Sequence, residues 1–288
     1  MNWGEMDRMP AMSQQLIKIE SVDDPRIAPF LNLKERELAR EGGRFIAEGE
    51  LVVKRLLSSE FEVESVLLAP RRVEEIGRLV KEGVPIYVGA AEMVNRIVGF
   101  KFHSGVMACG VRGQRLTLEE AAKAWADKPL TLVVCPEVSN TDNMGSLIRI
   151  SSAFGADAMI LGEHSCDPYY RQSIRVSMGA VFRLPMVQSE DLMSDLRRLR
   201  EQWGVELLAT VLDERADELA GARRGRRVAI LFGNEAQGLR REHVEACDRT
   251  ITIPMNPGTD SLNVSVAAGI VMYHFTQYAA EKGQGVRR

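Results

Sequence analysis

The sequence predicts an α/β protein built on a mostly parallel sheet with helices on both faces. Short, continuously apolar runs alternate with helical patterns through its second half, and strands covered on both faces require such runs. The turns after several of these runs are polar and glycine-bearing, as expected where a strand hands over to a helix. At 288 residues the chain can form two domains, each with a substantial core.

Residues 1–16 read as a mobile tail. From 17 to 112 the pattern is that of a small α/β domain. "DDPRIAPFLNLKERELAREGGRFIAEGELVVKRLLSS" reads as two helices around a short "RFIAEG" strand. "VESVLLA" and "VPIYVG" follow as strands with "RRVEEIGRLVKE" as a helix between them, and "SGVMACGVR" closes the domain as a strand. Residues 113–128 form a polar, helix-prone linker. From 129 to 288 the alternation is cleaner. "LTLVVCPEV" is a buried strand, "MGSLIRISSAFG" a helix with Gly155 at its C-terminus, and "ADAMILG" a second strand. "DPYYRQSIRVSMGAVFRLP" is a helix and a turn, "DLMSDLRRLREQW" an amphipathic helix, and "VELLATV" and "RRVAILFG" are strands. "LRREHVEA" gives a turn or two of helix, "RTITIP" a strand, and the last helix runs from Ser261 to about Glu281.

Composition excludes more than it identifies. A hydrophobic fraction of 45% and a charged fraction of 27% are ordinary for a globular chain. The net charge of -3 does not mark a nucleic-acid binder, although local patches can be hidden by the total. Basic clusters occur at Arg197, Arg198 and Arg200; at Arg223, Arg224, Arg226 and Arg227; at Arg240 and Arg241; and at Lys34, Arg36, Arg40 and Arg44. Each by itself reads as a solvated face. Cys109, Cys135, Cys166 and Cys247 form no CxxC pair, and the histidines are scattered, so a reduced thiol set and no metal site are expected. The N-terminus lacks a basic start followed by an apolar run, and no apolar stretch approaches the roughly 18 residues of a membrane span. These features predict a cytoplasmic protein with no membrane partner.

In parallel α/β sheets, ligands sit beyond the carboxyl ends of the strands. Three strand ends here share one character. "SNTDNMGSLIRI" carries Asn140, Asn143, Gly145 and Arg149; "FGNEAQGL" carries Gly233, Asn234, Glu235 and Gly238; "IPMNPGTDSLNVSVAAG" carries Ser261 and Asn263. Any one of them is also what a turn with a helix N-cap looks like. Neither a phosphate-binding loop nor a dinucleotide fingerprint is present, and no histidine lies in these loops to complete a Ser-His-Asp group. The residues alone therefore indicate a polar ligand site built from three loops, with Arg149 and Glu235 as its charged members.

Together, the three segments resemble the three motifs of the SpoU (TrmH-like) branch of the SPOUT RNA methyltransferases. "NTDNMGSLIRISSAFGA" is similar to the first, through Asn143, Gly145, Arg149, Phe154 and Gly155. "ILFGNEAQGL" is similar to the second, and "ITIPMNPGTDSLNVSVAAG" to the third, through Ile253, Pro254, Met255, Ser261, Leu262 and Asn263. The likeness spans about residues 128 to 280. "RFIAEGELVVKRLL" and "FHSGVMA" resemble the RNA-binding domain that often precedes this fold. Where the family usually has an Asp-Pro-like pair before the first Asn, this chain has "NTDN".

The resemblance implies a C-terminal trefoil knot, an uncommon topology, and a homodimer whose active site forms at the subunit interface. It also implies S-adenosylmethionine held by Gly233, Asn234, Ile253, Met255 and Leu262. Asn143, Glu235, Ser261 and Asn263 would organise the acceptor site, and Arg149 would act on the acceptor hydroxyl. The reaction implied is methylation of an RNA ribose 2'-hydroxyl, with ribosomal RNA favoured over tRNA by the N-terminal domain. The alternatives are a non-catalytic RNA-binding protein with the same fold and a SPOUT methyltransferase acting on a base.

Overall fold

The computed structural model describes residues 15–30, 43–90, 104–256, 258 and 261–278, which fall into two compact units. Most of the expected tail, Lys34, Arg36 and Arg40, His103 and the end of the last helix lie outside the described residues.

The first unit comprises the chain to Gln114 together with Tyr169–Phe182. Its sheet runs in the order β1 (Leu16–Lys18), β4 (Ile86–Val88), β3 (Glu62–Leu68), β5 (Val106–Val111), β2 (Arg44–Glu48). β1, β4 and β3 pair in parallel, whereas β5 pairs antiparallel with both β3 and β2. A 3-10 turn at Pro25–Phe30 buries Ile27 and Phe30 against Ile46, Leu67 and Met107. α1 (Glu50–Leu57) follows β2. The long helix expected over 71–82 is instead a 3-10 turn, Pro70–Arg72, and one short helix, α2 (Val73–Gly77). Gly77 is a poor helix interior residue, and the chain turns there, with Val80 N–H bonding Gly77 C=O at 3.1 Å. Tyr169 and Phe182 stack on Phe45, both with ring centroids 5.6 Å away.

The second unit, Arg115–Pro168 with Arg183–Arg288, holds an all-parallel sheet. Its order is β10 (Asp217–Glu218), β12 (Arg249–Thr252), β9 (Glu206–Thr210), β11 (Arg227–Leu231), β6 (Leu130–Cys135), β7 (Ala158–Leu161), β8 (Met186–Gln188). The two edge strands, β8 and β10, are three and two residues long and were not foreseen. The helices are α3 (Leu118–Ala122), α4 (Thr141–Ala153), α5 (Arg171–Val176, which belongs to the first unit), α6 (Leu192–Trp203), α7 (Arg241–Ala246) and α8 (Val264–Tyr273).

Residues alternate across the pleat. Leu130, Leu132, Val134, Ala229 and Leu231 form one core with Leu192, Leu196 and Leu199 of α6. Val133, Leu208 and Ile230 point the other way and are equally buried, so the sheet is covered on both faces. α4 and α8 pack on each other and contribute nothing to that first core. Of the segment 113–128, expected as a linker, residues 115–128 are part of this unit. A Thr117/Glu120 capping box starts α3, and Leu118, Ala121 and Trp125 sink into the core beside α6. Its polar composition concealed an apolar spacing of three and four residues.

Candidate active site

α4 begins directly after the loop that leaves β6. Asn140 is its N-cap, its Oδ1 accepting from the Asp142 and Asn143 N–H groups at 2.8 and 3.2 Å. The "NTDN" stretch thus supplies a side-chain cap, and Asn143 sits in the first helical turn instead of the loop. The helix ends at Ala153, with Gly155 following in the left-handed region at φ 73°.

Glu235 lies in the loop after β11 and reaches across to that helix start. One carboxylate oxygen accepts from Asn143 Nδ2 and Asn140 N–H, each at 3.1 Å. The other accepts from the N–H and hydroxyl of Ser139 at 3.3 and 3.2 Å. Burial alone would raise this carboxyl's pKa. The Asn143 amide and the backbone N–H groups more than offset that, and the net shift is downward.

Asn263 completes the chain. The last helix starts at Val264, not at Ser261, because Asn263 serves as its N-cap: its Oδ1 accepts from Ser265 N–H at 2.9 Å. Its amide nitrogen then donates to Asn143 Oδ1 at 2.9 Å. A carboxylate can only accept and a cap oxygen is already committed, so both amide orientations are fixed by their partners. The result is a relay, Asn263 to Asn143 to Glu235, joining all three loops.

Beside this relay is a cavity of about 370 Å³, within the size range of small-molecule sites. Gly233, Asn234, Glu235, Ile253, Met255, Ser261 and Leu262 all line it. Asn143, Asn263 and Arg149 do not. Gly233 has no room for a side chain: a Cβ there would lie 2.3 Å from Gly238 C and 2.4 Å from Leu239 N. Those atoms are close because Asn234 and Gly238 exchange two backbone hydrogen bonds of 2.9 Å, and Gly238 takes a φ of 69° that glycine adopts at little cost. Arg149 is exposed, and its side chain makes no ion pair or hydrogen bond with another described residue. Six residues beyond Asn143, it lies about 120° around α4.

Besides the ends of β11 and β12, a further strand end lines the cavity. Thr210, the last residue of β9, and Val211 and Leu212 just after it border the cavity, and Leu212 is 62% exposed. The polar turn after "VELLATV", "LDERAD", carries no glycine and opens no α-helix, although the strand-end rule covers it as well.

The basic clusters are mostly committed elsewhere. Arg224, Arg226 and Arg227 donate to the backbone carbonyls of Leu130, Asp127 and Ala126. Arg198 pairs with Glu119 and Asp195, and Arg241 with Glu245. Burial pushes the Cys109, Cys166 and Cys247 thiols up to about 12, so they are held as unreactive thiols. No helix among the described residues is long and apolar enough to cross a membrane.

The sequence pattern of the SpoU rRNA methylase family matches residues 130–273. An uncharacterized tRNA/rRNA methyltransferase of Mycobacterium tuberculosis is 32% identical over 271 residues, covering 91% of this chain and 92% of that protein. The chain belongs to the SpoU rRNA methylase family. A SpoU relative described as a 23S rRNA (guanosine-2'-O-)-methyltransferase of Nitrosomonas europaea is 31% identical over 66% of this chain and 73% of its own. A crystal structure of an RNA 2'-O ribose methyltransferase matches with a TM-score of 0.74 and 28% identity, over 90% of this chain and 97% of the other. A crystal structure of an rRNA methyltransferase from Sinorhizobium meliloti has a TM-score of 0.79 over 94% of this chain and all of its own, and at 23% identity it shares the fold. The relay and the cavity both fall within the SpoU segment.

Proposed function

We propose that this protein is an S-adenosylmethionine-dependent methyltransferase of an RNA ribose 2'-hydroxyl, with ribosomal RNA as the favoured substrate class. The observation that carries this reading is the Asn263–Asn143–Glu235 relay at the edge of a cavity walled by the family's second and third motifs. Named relatives that methylate 23S rRNA at a guanosine 2'-O position support the substrate class.

The cavity fits the cofactor. Phe232, Ile251, Ile253, Leu262, Ala267 and Val271 give it apolar walls, and the missing Gly233 side chain lets the Gly238–Leu239 backbone close the turn that forms one wall. Gly233, Asn234, Ile253, Met255 and Leu262 would hold it. When bound, S-adenosylmethionine supplies an electrophilic methyl group.

A ribose hydroxyl is a weak nucleophile and must give up its proton, to solvent in this scheme, as it attacks. A guanidinium is a hydrogen-bond donor with no acceptor to offer, and Arg149 carries one. Its role is therefore to bind an RNA phosphate and stabilise the developing alkoxide, not to act as a simple base. Glu235, held as the carboxylate by its donors, orients Asn143, and through it Asn263, beside Ser261.

A homodimer belongs to the same reading. Val266, Ile270 and Tyr273, spaced four and three residues apart on α8, are 52%, 41% and 51% exposed. That apolar stripe suits a C2 partner helix, whose subunit would complete the acceptor site near Arg149. The trefoil knot is supported by the convergence of the loops after β9, β11 and β12 with the start of α8. The first unit would bind RNA in a salt-dependent way, and an RNA substrate supports a cytoplasmic location.

The test is transfer of labelled methyl groups to unmodified ribosomal RNA and tRNA. Label in nuclease-resistant dinucleotides supports the ribose reaction, and label in mononucleotides makes the enzyme base-directed. Cofactor binding without transfer to either RNA or to a ribosomal subunit leaves a non-catalytic binder.

A further inference from the structure

We propose that Glu137 is a positioning residue for the cofactor pocket, holding both ends of its Gly233–Leu239 wall from outside the cavity. The inference rests on the methyltransferase reading above.

Glu137 follows β6 and is 8% exposed, yet it is not among the residues that line the cavity. Its two polar groups go to two places on the same wall. The backbone carbonyl accepts from Asn234 Nδ2 at 2.9 Å, near the start of the wall. The side-chain carboxylate is ion-paired with Arg240, the residue directly after Leu239. Between these anchors the wall is closed on itself by the Asn234–Gly238 hydrogen bonds. Asn234 Oδ1 braces the turn by accepting from the Ala236 and Gln237 N–H groups at 2.9 and 3.2 Å. Glu235, in the middle, grips Ser139 and Asn140, two and three residues beyond Glu137.

The two loops are therefore joined at three points, and Glu137 supplies the outer two. A buried carboxylate is a costly way to fill space and becomes damaging when its partner is lost. At this position its effect is geometric: it fixes where the wall begins and ends, and hence the opening that Gly233 and Ile253 face. Arg240 is half exposed at its side chain, so it can be changed without opening the core.

Three variants separate positioning from general stability. Glu137→Gln keeps the shape and the backbone carbonyl but removes the ion pair. Arg240→Gln removes it from the other side, and Arg240→Lys restores the charge. Wild type is first titrated with S-adenosylmethionine by calorimetry. The variants are then compared in Kd, in KM for the cofactor against kcat, and in Tm. The two Gln variants are expected to raise the cofactor Kd and KM about tenfold. kcat at saturating cofactor should stay within about twofold, and Arg240→Lys should recover most of the lost affinity. A lower Tm with unchanged cofactor Kd would make the pair merely structural and overturn the proposal, as would a fall in kcat alone. Should Glu137→Gln fail to fold, the Arg240 pair of variants decides the matter by the same readouts. No cofactor binding by wild type would instead remove the methyltransferase reading itself, and this inference with it.

Discussion

Replacing Gly233 by alanine tests the pocket at its tightest point. The added Cβ would lie 2.3 Å from Gly238 C, 2.4 Å from Leu239 N and 2.7 Å from Gly238 O. All three are backbone atoms, so no side-chain rotation relieves the clash. Reaching the 3.4 Å of ordinary contact means moving one strand of the turn by about 1 Å. Such overpacking costs about 1–3 kcal/mol. Distorting the two Asn234–Gly238 hydrogen bonds adds about 1 kcal/mol each. If about 1.4–2.8 kcal/mol of this appears as lost binding, the cofactor Kd rises about ten- to a hundredfold. Gly238→Ala is the control. Its Cβ would meet nothing within 4 Å, so only the strain of a φ of 69° remains, about 1–2 kcal/mol. Calorimetric titration with S-adenosylmethionine, with thermal unfolding alongside, measures both variants. A Gly233→Ala protein that binds the cofactor within about twofold of wild type would refute the geometry.

Three further outcomes follow from other parts of the molecule. Trp125→Ala should destabilise the protein by about 3–5 kcal/mol in urea unfolding, because Trp125 is a core residue of the second unit; an unchanged midpoint would restore 113–128 to the status of a linker. Glu235 has a depressed pKa, so its stabilising contribution is present above its unfolded value near 4.5 and disappears as the pH falls through the lower folded value. The difference in unfolding midpoint between wild type and Glu235→Gln should therefore shrink on acidification from pH 6 to pH 3, and a pH-independent difference would contradict the assignment. Ile270→Glu places a charge in the exposed stripe of α8 and should convert a dimer to a folded monomer by light scattering and circular dichroism, whereas an unchanged mass would remove that face from the interface.

How legible the molecule was depended on whether a signal was local. β6, β7, β9 and β11 were readable because each is built around a short apolar run with few polar residues, the pattern of a strand buried on both faces. α6 was readable from its amphipathic spacing and its N-cap Asp191. β8 and β10 were not, since two or three residues at a sheet edge carry no periodicity. An N-cap was one of the two readings of the loop that holds Asn263, and Asn263 is that cap, but the last helix was placed three residues early, at Ser261. Within the site, the motifs pointed to the residues around the cavity, and geometry supplied what spacing could not. Thr210–Leu212 line the cavity with no glycine-bearing turn into a helix to mark them. Glu137 meets Arg240 only because parallel pairing places β6 beside β11. Arg149 and Asn143 share a helix but not a face, because six residues do not make a whole number of turns.

The central claim, RNA ribose methylation assisted by Arg149, is tested most directly by comparing wild type with Arg149→Ala. Both are first shown to bind S-adenosylmethionine, then incubated with methyl-labelled cofactor and unmodified ribosomal RNA, tRNA or ribosomal subunits, and the products are digested to nucleosides. The expected result is a labelled 2'-O-methyl nucleoside from wild type, reduced by orders of magnitude in the variant at nearly unchanged cofactor affinity. Near-full turnover by Arg149→Ala, or label found on a base, would contradict it.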